Sequence, residues 1–162
     1  MTPRSPDKLV VGGGWLLTYF GDVQCVYFGP EVDDESFEAF VETFERDIAE
    51  RSDARRVGVL YYVPETAAMG SPRRRRVAKV LSAYEGKLKR TTLAYAMATR
   101  SPFVRGVLST MFWLAPPGYP YKMVASVEQG LGFISEHVLA LDRGGIEGGF
   151  GYLLRERLDK TG

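Results

Sequence analysis

The sequence is poor in the residues that most often carry chemistry. It holds one cysteine, Cys25, and one histidine, His137, in 162 residues. A lone cysteine closes no internal disulfide, so a reducing, cytoplasmic compartment is the expectation. A single histidine with no companion ligands at compatible spacing makes no metal site. There is no G-x-S-x-G elbow, no P-loop and no C-x-x-C pair. Gly12-Gly13-Gly14 precedes a strand, whereas a phosphate-binding fingerprint follows one. No apolar run approaches the ~18 residues that would span a bilayer. The start, Met1 to Lys8, lacks the apolar core of a signal peptide. Net charge is also nearly absent: 21 Lys+Arg stand against 20 Asp+Glu, a formal +1, which argues against a general nucleic-acid binder. No catalytic residue, cofactor or metal is assigned, and an enzyme is unsupported.

What is present is a globular composition, with 45% hydrophobic and 25% charged residues in a length that suits one domain. Trp15 to Phe20 and Val23 to Phe28 are β-branched and aromatic runs around Gly21-Asp22, which reads as a β-hairpin. Asp33 or Asp34 caps a following acidic helix whose apolar stripe is Phe37, Phe40, Val41, Phe44 and Ile48. Arg56 to Val63 and Thr91 to Thr99 read as strands covered on both faces. A second helix runs from about Arg73 to Lys89, with Val77, Val80, Leu81, Tyr84 and Leu88 on one side. Ser101-Pro102 opens a third helix to about Leu114, which Pro116-Pro117-Gly118 stops. Tyr121 to Ser126 is a last strand, and Val127 to Leu141 a last helix. The order β-β-α-β-α-β-α-β-α implies one α/β domain: a hairpin, then alternating elements in a mostly parallel sheet of four or five strands with helices packed on it. The expected division is an extension over 1–11, the domain over 12–142, and a Gly-rich linker with a short amphipathic segment over 143–162.

Several residues invite a role beyond packing. Ser71 and Ser101 begin helices at the sheet edge where open α/β folds bind ligands, and helix N-termini favour anions. Ser71, Arg73, Arg74, Arg100, Ser101 and Arg105 therefore form a candidate anion site. The bland reading is that the serines cap helices and the arginines are solvated. On the third helix, Phe103, Val104, Val107, Leu108, Met111 and Leu114 share one broad face. Phe112 falls on the opposite side, with Trp113 at the border and Tyr119 and Tyr121 close behind. With Arg75 and Arg76 these aromatics form a candidate partner or dimerisation surface; burial of the whole helix is the alternative. Phe150, Tyr152, Leu153 and Leu154 form either a tethered docking segment or a helix packed on its own domain. His137 lies four residues from both Phe133 and Leu141, which suits a packing role. Cys25 alternates with Val23 and Tyr27, which places it in the core.

Charge is segregated along the chain. Asp22 to Glu50 holds ten acids and one base, a net of −9, and Arg51 to Arg105 holds thirteen bases and three acids, a net of +10. If the two helices lie on different faces, opposite potentials result. If they are neighbours, the charges cancel in surface pairs that contribute little.

The order of elements and two stretches resemble the STAS and SpoIIAA-like family of bacterial regulatory domains. One stretch is Phe28-Gly29 through Val32-Asp33-Asp34-Glu35 to Phe37 and Phe40; the other is Val124-Ala-Ser-Val-Glu128 to Leu131 and Ile134. The resemblance implies a small cytoplasmic α/β domain that binds protein partners, sometimes nucleotides or lipids, and is rarely an enzyme. Partner-switching members carry a phosphorylatable Ser or Thr after an Asp at the second helix. Here Pro64-Glu65-Thr66 to Ser71-Pro72 lacks that pair, and Ser71 stands nearest the place. The resulting expectation is a non-enzymatic regulatory adaptor that meets a protein partner, or a second copy of itself, through the basic helix (73–90) and the aromatic helix (103–114). The alternative is a domain that binds an anionic small molecule or lipid near Ser71 and Ser101.

Overall fold

In the computed structural model, residues 3–65 and 70–158 are described; the side chains of Met111 and Leu158, and all of Thr66, lie outside that set. Six strands form one sheet in chain order: β1 (Lys8–Val11), β2 (Trp15–Phe20), β3 (Val23–Phe28), β4 (Val57–Tyr62), β5 (Thr92–Ala98) and β6 (Tyr121–Val124). The first three are antiparallel and the last three continue parallel to β3. The hairpin holds the expected register, Phe20 opposite Val23. Gly21 has φ 60° at the first turn position, where a two-residue hairpin of the II′ kind wants glycine.

Because strand order follows chain order, each right-handed crossover steps the same way and lays its helix on the same face. That face carries α1 (Asp34–Glu50), α2 (Ser71–Ala83), α3 (Glu85–Thr91) and α4 (Pro102–Leu114). Its core joins Trp15, Leu17, Val26, Phe28 and Val59 to Phe37, Phe40, Val41, Phe44, Ile48 and Val80. Asp33 caps α1 by accepting from the Ser36 amide at 2.7 Å. That backbone hydrogen bond also holds the Asp33 carboxyl below its ordinary pKa.

The opposite face is covered by α5 (Val127–Ser135) and α6 (Arg143–Leu158), which bury Leu131, Ile134, Ile146, Phe150 and Leu153 against Leu16, Phe20, Cys25 and Leu60. Glycines let α5 lie close to the sheet. A Cβ on Gly130 would come within 2.5 Å of Leu60 Cδ1, and one on Gly58 within 2.6 Å of Ile134 Cγ2.

Four details depart from the expectations. The expected extension 1–11 contributes β1: Lys8 to Val11 pairs along the edge of β2, with Leu9 and Val10 partly buried. The sheet therefore has six strands. The basic helix breaks at Tyr84 into α2 and α3. The last predicted helix stops at Ser135. The Gly-rich segment after Asp142 is helical from Arg143: Ile146, Phe150 and Leu153 are almost fully buried, and that burial offsets the helix cost of its glycines.

Candidate functional site

The two charge blocks meet each other. α1 and α2 are neighbours on one face, and Arg73 Nη2 donates to Val32 O (2.8 Å) and to Asp34 Oδ1 (3.0 Å). The Arg73 guanidinium also lies over the Phe37 ring, 4.9 Å from its centre. Arg76 Nε pairs with Glu38 Oε2 at 3.5 Å, and Lys87 Nζ donates to Ala49 O at 2.8 Å. The arrangement is the neighbouring one, and the Arg73–Asp34 and Arg76–Glu38 pairs join the two blocks. Arg75 is exposed, and Arg74 donates to Ser71 Oγ at 2.9 Å.

The helix starts are likewise partly committed to the fold. Gly70, not Ser71, is the N-cap of α2. Ser101 Oγ accepts from the Val104 amide at 3.3 Å, so it caps α4. Arg105 Nη1 donates to Thr99 O at 2.7 Å, and Arg100 Nη2 to the Tyr62 hydroxyl at 3.3 Å. Both serines and Arg74, Arg100 and Arg105 thus stand at one edge, yet two guanidiniums there, Arg73 and Arg105, hold backbone carbonyls. An open groove of about 640 Å³ crosses the free edge of β6, lined by Arg105, Lys122, Gln129, Phe133, Glu136 and Arg143 among others. Sequence reasoning missed Lys122 and Arg143 there, because only the fold brings β6, α4 and the start of α6 together.

α4 is the most exposed of the apolar elements. Val104, Leu108 and Phe112 turn inward and are half-buried. Phe112 packs against Tyr95 (6.0 Å between ring centres) and Tyr121 (5.0 Å), and Tyr95 also meets Tyr119. The outward side carries Phe103, Trp113 and Leu114, exposed by 79%, 75% and 70%, together with Val107 at 43%. The sequence had pointed at Phe112 as the anomalous aromatic; it is the anchor to the sheet, and the broad apolar face is split between core and solvent. The reason is geometric. A helix over the edge strand of a sheet has neighbours on one side only, so part of a wide apolar arc stays outside.

The remaining candidates are structural. Phe150 and Leu153 are buried, Leu154 is half-buried, and Tyr152 is about half exposed. His137 is exposed, with its ring edge-on to Phe133 at 5.1 Å. Cys25 is fully buried, and that burial pushes its thiol well above the ordinary range, so it is no nucleophile. One buried polar cluster was not foreseen. Asp47 Oδ2 accepts from Tyr19 Oη and Gln24 Nε2, both at 2.7 Å, and Arg51 Nη2 lies 3.4 Å away. Arg51 Nη1 reaches Thr91 Oγ1 at 3.2 Å, and Lys8 Nζ reaches Asp47 Oδ1 at 3.2 Å. Gln24 and Arg51 come from distant elements, so no local motif signals the cluster. It lies under α1, with half-exposed Lys8 at its rim, and ties α1 to β2 and β3.

Among the described residues no three His, Cys, Asp or Glu side chains gather as metal ligands. No helix among them is long and apolar enough to cross a membrane. Comparison of the chain with protein-family models, with curated proteins and with solved structures finds no match.

Proposed function

We propose that the chain is a non-enzymatic, STAS-like bacterial regulatory adaptor that works in the cytoplasm by docking another polypeptide on the outer side of α4. The observation that carries this reading is the ridge of Phe103, Val107, Trp113 and Leu114, three of whose side chains are at least 70% exposed. Exposed aromatics of this kind supply most of the energy in protein interfaces. The β-hairpin followed by alternating elements supports the STAS-like assignment, although fold by itself does not assign function. Docking is favoured over a small anion at the helix starts because Arg73 and Arg105 already hold backbone carbonyls.

The test is a photo-reactive amino acid in place of Val107, activated in living cells, with the captured chain identified by mass spectrometry. A specific cross-link to a polypeptide, whether another protein or this same chain, is expected. No cross-link above that from a probe at exposed Glu42 on the far helix would overturn the docking reading.

A further inference from the structure

The outer side of α4 has a spacing that specifies its partner more closely. Phe103, Val107, Thr110 and Leu114 are four, three and four residues apart and all exposed. That is the spacing of a seam made for another helix, the period of side chains that interlock along two crossing helices. The seam is also symmetric end to end. Reversed in direction, Phe103 falls opposite Leu114 and Val107 opposite Thr110, so the same surface fits itself in antiparallel orientation.

The flank of the seam is complementary in bulk. Trp113 and Gly106 lie on the same side of it, seven residues apart. A Cβ built on Gly106 meets nothing within 4 Å, so there is open space above that backbone. In an antiparallel pair the matching flanks face each other, and the indole of one Trp113 comes over Gly106 of the other copy. Thr110 fits an apolar seam because its hydroxyl already donates to Gly106 O at 2.9 Å.

Charge on α4 itself does not oppose this pairing. No Asp or Glu stands between Glu85 and Glu128, while six Lys and Arg do. Most of these cations are engaged elsewhere: Lys87 with Ala49 O, Lys89 with Glu85, Arg90 with Asp53, Arg100 with Tyr62 and Arg105 with Thr99 O. On α4 the single charge, Arg105, sits on the inward side. The outer side is neutral, so two copies meet there without like-charge repulsion, and an acidic partner would find no cation on the ridge itself.

We infer that the occupant of this ridge is a second copy of the chain, joined by antiparallel packing of α4 on α4 about a two-fold axis, with Trp113 of each copy over Gly106 of the other. This rests on the reading that α4 is the docking surface. The exposed apolar side chains offer roughly 500 Å² per copy, roughly 1,000 Å² for the pair, which is the floor for specific interfaces and suits a reversible dimer.

The experiment uses the full chain. Sedimentation velocity over a micromolar concentration range is expected to show a monomer–dimer equilibrium. W113D and G106W, checked for folding by circular dichroism, should each weaken it by at least about tenfold, the one by removing the indole and the other by filling its place. Disulfide trapping then fixes the geometry: V107C protein mixed with T110C protein should cross-link more than either alone, against a background in which native Cys25 is buried and silent. Monomer at every concentration, or a dimer untouched by both variants, would overturn the inference. So would cross-linking of T110C to itself in preference to V107C. A photo-cross-link from position 107 to a different protein, with the chain monomeric, would overturn the dimer and leave the docking reading intact.

Discussion

Asp47 offers the sharpest energetic prediction. Its carboxylate is 6% exposed and accepts from Tyr19 and Gln24, with Arg51, itself 3% exposed, 3.4 Å away. In D47N the shape is kept and the charge is lost, so Arg51 becomes a buried cation without a counter-ion. The Arg51 Nε already has no hydrogen-bond partner, and no other acid in the cluster can compensate. Removing one member of a buried pair costs about 3–5 kcal/mol. Against a total stability of about 5–15 kcal/mol that is a large fraction. For a chain of this length it should lower Tm by roughly 10 °C. Urea unfolding followed by circular dichroism measures it, with the m-value unchanged if the folded state keeps its compactness. A loss below about 1 kcal/mol would refute the claim that the charge pair is closed to water, because exposed pairs contribute only that much.

The other predictions concern the tail, the tyrosines and the basic helix. F150A removes a ring that is 1% exposed beneath α6 and should cost about 3–5 kcal/mol by urea titration; a change near zero would mean that the segment after Asp142 is not part of the core. Burial pushes Tyr19 up to about 12 and raises Tyr61 and Tyr95 as well. A phenol whose folded pKa lies above its unfolded value of 10 contributes stability that is complete below pH 10 and lost as pH rises toward 12. Absorbance at ~295 nm should therefore show these tyrosines ionising together with unfolding above about pH 11. Smooth ionisation near pH 10 with the fold intact would contradict their burial. R75E, at an exposed position, should shift stability by less than about 0.5 kcal/mol, whereas R73E, which loses Val32 O and Asp34, should cost more than about 1 kcal/mol. Equal effects would show that the arginine run acts as one solvated patch.

Much of the architecture was legible because it is written in local periodicity. The β-branched and aromatic runs Trp15 to Phe20 and Val23 to Phe28, split by Gly21-Asp22, leave few alternatives to a hairpin. The helical spacing of Phe37, Phe40, Val41, Phe44 and Ile48 commits one stripe to the core, and all five are buried. The segment after Asp142 was harder. Its glycines have the composition of a linker, and helix formation there depends on Ile146, Phe150 and Leu153 finding the rear of the sheet. β1 is similar, since four residues form a strand only when β2 offers its edge.

The candidate site divides along the same line. By itself the sequence determined which stripes of α1 and α4 are apolar, and that acids and bases lie in separate blocks. Whether those blocks face apart or pair depends on which helices the crossovers make neighbours, and sheet order put α1 beside α2. Which side of α4 is left in water depends on its position over the last strand. Periodicity shows that an arc is apolar, but burial is a relation between that arc and a neighbour distant in the chain. On one side of α4 the sheet supplies the neighbour; on the other, Phe103, Val107, Trp113 and Leu114 are left exposed among the described residues.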